Sequence, residues 1–214
     1  MKARPIASPS RAGLKVGAIV LAAGRSSRMA PRNKLLELVE GKPIVARVAG
    51  VALASGANPV VVVTGFEAPR IEDALRDLNV TIVPNPDFEE GLSTSLRIGL
   101  GGLPPDSDGA MILLGDMPTV EVPVLGALVA AFTGCDGICV PVHRGQRGNP
   151  VLWGKSYFAE MMRLAGDVGA KQLLAKHRDC VTEVAVDSNG VLTDVDTPRD
   201  LARLRTSSDR TRKD

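Results

Sequence analysis

A chain of 214 residues, 44% hydrophobic and 23% charged, has the length and apolar share of one domain with a real core. Its 26 basic and 24 acidic residues leave a net charge of +2, too little for bulk attraction to nucleic acid or an anionic membrane, so any anion must be bound locally. Aromatics at 3% argue against a platform that stacks single-stranded bases, and Cys135, Cys139 and Cys180, with neither CxxC nor Cys/His spacing, suggest neither a disulfide framework nor a zinc site.

Residues 1–14 are expected to form a flexible tail. Their basic start and the short apolar run that follows also have the outline of a signal peptide, but that run is rich in Val and Ala and is followed at once by Arg25, Arg28 and Arg32. No apolar run reaches the roughly 18–20 residues of a membrane span, so a cytoplasmic protein is expected. Strands are predicted at VGAIVL (16–21), VVVVT (60–64), VTIV (80–83), AMILLG (110–115), GICVPV (137–142) and CVTEVAV (180–186). Continuous rather than alternating apolar strands imply burial on both faces. Helical spacing recurs in PIVARVAGVALASGA, EDALRDL, GLSTSLRIGL and VEVPVLGALVAAF, with Pro43 suited to a first turn and Gly56 to a stop. After VLW come helices near SYFAEMMRLAG and GAKQLLAKH and a last one after DTP. Alternating units of this kind predict a three-layer α/β/α sandwich around a mostly parallel, Rossmann-like sheet, with one domain over 15–206 and a second flexible tail over 207–214. Ligands of such sheets bind beyond the carboxyl ends of the strands.

The first strand empties into LAAGRSSRMAPRNK. Neither G-x-G-x-x-G nor G-x-x-x-x-G-K-[ST] is present. Leu21, Ala22, Ala23 and Gly24 are small enough, or early enough in the turn, for backbone amides to approach an anion. Ser26, Arg28 and Lys34 add a hydroxyl, a planar guanidinium and a point charge. The pattern suits a triphosphate; the plainer alternative is a solvated basic loop.

LAAGRSSRM...NK followed by Gly41, Lys42 and Pro43 resembles the signature of the MobA-like NTP transferase family, within it most closely that of the molybdenum cofactor cytidylyltransferases. Ala30 stands where that family usually has glycine, so a positive φ there would carry a cost. The resemblance extends over residues 16–205. It implies the nucleotide-diphospho-sugar transferase type of fold and transfer of the NMP part of an NTP, by the LAAG opening and the NKLL run CTP rather than GTP, to a phosphorylated pterin-type acceptor. Release of pyrophosphate and handover to a molybdoenzyme or its chaperone complete that picture.

Asp116 ends the strand GAMILLG, where a carboxylate can hold Mg2+ or cap a turn, and GDMP matches the family's metal-binding strand end. In TDVDTPRD, alternation places Asp194 and Asp196 on one side of an extended segment, and Asp196 can also cap the following helix. By resemblance Asp196 is the second metal ligand, with Asp194 in reserve. Asn85, Gly91, Ser95, Leu96, Gly99 and Leu100 follow the family's nucleotide segment; Pro84 is expected to wall the base pocket, and Ser93 and Ser95 to meet the nucleotide or cap the helix. In HRGQRGNPV, Arg147, Gly148 and Asn149 are expected on the acceptor side, with His143 a loop residue, while Asp167 of GDVGAK either contacts the acceptor or caps a helix beginning near Gly169. Arg28 and Lys34 are the expected catalytic cations on the departing pyrophosphate. An NAD(P)-linked oxidoreductase or a nucleotide-sensing protein on a doubly wound sheet is the alternative from another class.

Overall fold

The computed structural model describes residues 13–211; most of the expected N-terminal tail and the last three residues lie outside them. The run VGAIVLA forms β1 (Val16–Ala22), buried at every position as a continuous apolar strand requires. A short antiparallel pair, β2 (Leu38–Val39) and β3 (Lys42–Pro43), leads into helix α1 (Ile44–Ala54). There follow β4 (Val60–Thr64), α2 (Ala68–Leu75), β5 (Thr81–Pro84), α3 (Leu92–Gly101), β6 (Gly109–Leu114), α4 (Val122–Ala131) and β7 (Ile138–His143). The remainder holds β8 (Gln146–Arg147), β9 (Val151–Gly154), α5 (Phe158–Met161), α6 (Lys171–Lys176), β10 (Val181–Ala185) and α7 (Pro198–Thr211). The boundary expected at 206 falls inside α7. Among the described residues no helix is long and apolar enough to cross a membrane.

The main sheet runs β10-β7-β9-β6-β1-β4-β5, with β8 paired to β7. Strands β6, β1, β4 and β5 are mutually parallel, and β10 is parallel to β7. Antiparallel β9 stands between β6 and β7, so the sheet is mixed at that end. The expected three-layer architecture follows from the pleat of β1. Ala18, Val20 and Ala22 face a core shared with α1, α2, α4 and Leu201 of α7. Ile19 and Leu21 face the opposite core, with Leu96 and Leu100 of α3, Met161 of α5 and Leu173 of α6.

Burial on both faces fails at β5 and β10. Both are edge strands, where one side has no neighbouring strand and side chains reach solvent. Helix starts also differ: Pro43 caps α1 from outside rather than entering its first turn, and α2 begins at Ala68, before the EDALRDL segment. Gly56 stops α1 as expected, with φ 81° one residue after the cap.

Candidate active site

The loop after β1 is fastened to itself. Ser26 takes a left-handed conformation, φ 52°, and its carbonyl accepts a bond from the Met29 amide at 2.8 Å. The Ser26 hydroxyl donates to Asn33 Oδ1 at 3.3 Å and accepts from the Lys34 amide at 3.2 Å. Asn33 Oδ1 also accepts from the Leu35 amide at 3.1 Å, while Met29 and Leu35 plug the turn into the core. Gly24 faces open space, with nothing within 4 Å of an added Cβ. At Ala30 φ is −48°, so alanine in the family's glycine position carries no left-handed strain here.

Two carboxylates converge on this loop from distant segments. The Gly115 amide donates to the Leu21 carbonyl at 3.0 Å, which sets Asp116 beside the end of β1, and the Val195 amide donates to the Asp116 carbonyl at 2.9 Å, which brings in Asp196. Lys34 Nζ lies 2.6 Å from both Asp116 Oδ2 and Asp196 Oδ1, and Arg28 pairs with the other oxygen of Asp196. Asp196 does not cap α7. That role belongs to Thr197 and Asp200, which bond reciprocally: Thr197 N to Asp200 Oδ2 at 2.9 Å and Asp200 N to Thr197 Oγ1 at 3.3 Å. Asp194 is exposed and lines neither cavity near the loop, because Val195 between them is the residue anchored in the core.

Burial opposes the charge on Lys34, but its two carboxylate partners outweigh it and hold the ammonium's pKa above the ordinary value. The hydrogen bond from Lys34, opposed by partial burial and aided by the Lys34 and Arg28 charges, holds the Asp196 carboxyl below its ordinary value. Asp116 Oδ1 is buried without a hydrogen-bond partner. Among the described residues no three His, Cys, Asp or Glu side chains gather as a metal cage. A pair of hard oxygen donors with one free lone-pair site fits a cation that completes its shell with water and phosphate, as Mg2+ does, and does not fit zinc.

Lys34, Asp116 and Asp196 lie in a cavity of about 490 Å³ whose wall also includes Leu21, Ala23, Gly24, Ser26, Arg28, Ser95 and Asp167. Other expected site residues support it from behind. Ala22 is buried on the opposite face of β1. Pro84 pairs with Thr64 at the end of β5, outside the wall. The Asn85 side chain donates through Nδ2 to Thr94 Oγ1 and Ser95 Oγ, each at 2.9 Å, and so fixes the start of α3. Ser93 is fully buried, its hydroxyl without a partner. Asp167 accepts from the Leu92 amide at 3.4 Å, which makes α3, not a helix near Gly169, the helix it caps.

A second, mainly apolar cavity of about 200 Å³ shares Leu21, Leu92 and Leu114 with the first and is lined by Asn149. Arg147 does not line it; its guanidinium pairs with Glu183 at 2.7 Å. Gly148 is a packing position, since an added Cβ would stand 2.3 Å from the Val191 carbonyl oxygen. His143 is a structural residue, its Nδ1 3.1 Å from the Val186 carbonyl.

The MobA-like NTP transferase domain matches residues 18–181. The chain belongs to that family. The molybdenum cofactor cytidylyltransferase of Escherichia coli K12 is 24% identical to this transferase, over 87% of this chain and 93% of that one. Rv0371c of Mycobacterium tuberculosis H37Rv superposes with a TM-score of 0.82 at 30% identity, covering 90% of this chain and 98% of its own, and a manganese complex of that protein superposes at 0.79 and 29%, covering 90% and 99%. A nucleotidyl transferase of Methanothermobacter gives 0.82 at 25%, covering 93% and 100%. An NTP substrate and nucleotidyl transfer follow for this transferase at that level, and the redox alternative drops away.

Several wall residues of this transferase escaped the sequence reading, four of them charged or aromatic. Arg25, Phe88, Glu89 and Glu90 line the larger cavity, and Arg25 meets Glu89 at 3.2 Å across it. The one available signal was Glu89-Glu90 immediately before Gly91. At Gly91 φ is 110°, and an added Cβ would lie 2.4 Å from the Gly166 carbonyl carbon. Gly91→Ala is therefore expected to cost about 2–3 kcal/mol in chemical denaturation, combining backbone strain with overlap against a segment that cannot retreat without uncapping α3. A loss below about 0.5 kcal/mol, the ordinary scatter of surface substitutions, would contradict this packing.

Proposed function

We propose that this transferase joins the CMP part of CTP to a phosphorylated, molybdopterin-type acceptor with release of pyrophosphate, using Mg2+ held by Asp116 and Asp196. The observation that carries the reading is the placement of both carboxylates 2.6 Å from one ammonium, in the same cavity as the loop after β1. Bound there, Mg2+ would neutralise phosphate charge and favour departure of pyrophosphate. The backbone of Ala23 and Gly24 receives the triphosphate, and Lys34 and Arg28 stabilise charge on its β,γ part. An acceptor phosphate oxygen, largely ionised at neutral pH, attacks the α-phosphorus in line. The new P–O bond forms as the bond to the bridging β-phosphate oxygen breaks, and pyrophosphate leaves with the electron pair. No side-chain base is required, which agrees with walls that contain no histidine.

The choice of cytidine rests on the LAAG and NKLL segments and on the similarity to the Escherichia coli cytidylyltransferase. Handover of the product to a molybdoenzyme or its chaperone, in the cytoplasm, belongs to the same reading. The deciding experiment supplies each of the four NTPs with Mg2+ or Mn2+ and molybdopterin and measures pyrophosphate. CTP with Mg2+ is expected to give the highest rate; preference for GTP would replace the cytidylyl assignment by a guanylyl one, and no pyrophosphate with any pair would remove the proposal.

A further inference from the structure

The ammonium of Lys34 stands where a cation shared by the two carboxylates would stand. It is 2.6 Å from Asp116 Oδ2 and 2.6 Å from Asp196 Oδ1, on a side chain only 14% exposed. Arg28, 70% exposed at the rim, takes the other oxygen of Asp196, so each oxygen of that carboxylate already has a positive group on it. The root of Lys34 is fixed. Its amide donates to Ser26 Oγ at 3.2 Å, Asn33 caps the turn Lys34–Leu36 through the Leu35 amide, and Leu35 is buried. What can move is the four-carbon stem, which carries its charge from a fixed point into the same cavity as Gly24 and Ser26.

We propose that Lys34 is a built-in stand-in for the divalent cation: its ammonium and the cation hold the Asp116–Asp196 pair in turn, and Lys34 reaches a phosphate only from the displaced position. Oxygens engaged by an ammonium are poor ligands for a divalent ion, and two positive groups repel strongly at contact distance in an enclosed site. The exchange preserves the site, because one positive group replaces another beside the same carboxylates. In the cation-free protein Lys34 keeps those carboxylates from repelling each other. A triphosphate on the loop offers Lys34 a different anion, so Lys34 gives up the carboxylates most readily when nucleotide is present. Nucleotide and cation then strengthen each other's binding through one side chain, and the coupling is reciprocal. The proposal rests on the cation reading above and adds the order in which the site is loaded.

The test uses the full chain without nucleotide and titrates Mn2+, followed by electron paramagnetic resonance. In Lys34→Met, which keeps the length of the stem and removes its charge, the Mn2+ midpoint is expected to fall about tenfold or more, since no ammonium has to be displaced. A second measurement needs only the parent protein. Acetic anhydride labels lysines, and mass spectrometry reads each position. Without Mn2+, Lys34 should react slowly beside Lys42, which is exposed and outside the cavity. At saturating Mn2+ the Lys34 rate should rise severalfold while that of Lys42 stays the same, a response that long-range repulsion between Lys34 and the ion would not give. Equal Mn2+ midpoints in the parent and Lys34→Met, or a Lys34 labelling rate unmoved by Mn2+, would overturn the exchange and leave the cation site standing. No saturable Mn2+ binding in either protein would remove the cation site and the exchange with it.

Discussion

Asp116→Asn is expected to lower kcat for pyrophosphate release by about three orders of magnitude, the scale of losing a preorganised charge at the reacting phosphate. The substitution keeps the shape of the side chain and an oxygen that can still accept from Lys34, so the fold and the loop should survive. What disappears is the negative charge and with it one of the two carboxylates of the proposed cation site, including the buried Oδ1 that has no internal partner. The loss should appear in kcat as well as in the midpoint of Mn2+ binding followed by electron paramagnetic resonance. A variant within tenfold of the parent turnover would take Asp116 out of the reaction.

Lys34→Ala is expected to remove about two to three orders of magnitude from turnover through the loss of a cation on the departing pyrophosphate. It should also destabilise the metal-free protein by about 1–3 kcal/mol, because Asp116 and Asp196 are left facing one another without their shared counter-charge. The side chain of Lys34 is only 14% exposed, so screening by water does not erase that term. Its dependence on pH has a definite sign. Asp196 titrates below its ordinary value when folded, so its contribution is present above the unfolded carboxyl range and fades as acid protonates the folded carboxyl. Lys34 titrates above its ordinary value, so its contribution is full below the unfolded lysine range and fades as pH rises through the folded one. The stability gap between parent and variant should therefore be widest between about pH 5 and pH 9 and close toward both extremes. Urea unfolding in chelator at several pH values measures it; a gap independent of pH would mean that Lys34 and Asp196 are not coupled.

The parallel half of the sheet was legible because β1, β4 and β6 are apolar at nearly every position, and the loop because its basic residues follow β1 directly. What remained hidden was set by partners distant in sequence. Nothing in TDVDTPRD states that Asp196 rather than Asp194 turns inward; that follows from Val195, which inserts in the core and donates to the carbonyl of Asp116. The capping role of Asp196 was equally open until Thr197 and Asp200 were seen to fill it between themselves. Arg147 looked available because its partner Glu183 stands on another strand. Edge position, which leaves β5 and β10 partly in water, is likewise a property of strand order and not of either segment.

The hydrogen bond from Val195 to Asp116 bears on the order in which this protein becomes competent during synthesis. Chains emerge amino end first and domains begin to organise as they emerge. The loop and Asp116 are made early, but the partner of Lys34 at Asp196 lies 162 residues further along. A nascent chain can thus hold most of its parallel sheet and a basic loop while its second carboxylate has yet to be translated. If Asp196 holds the cation as proposed, chemistry waits for its segment to dock, which ties nucleotide consumption to chains in which both carboxylates already stand beside Lys34.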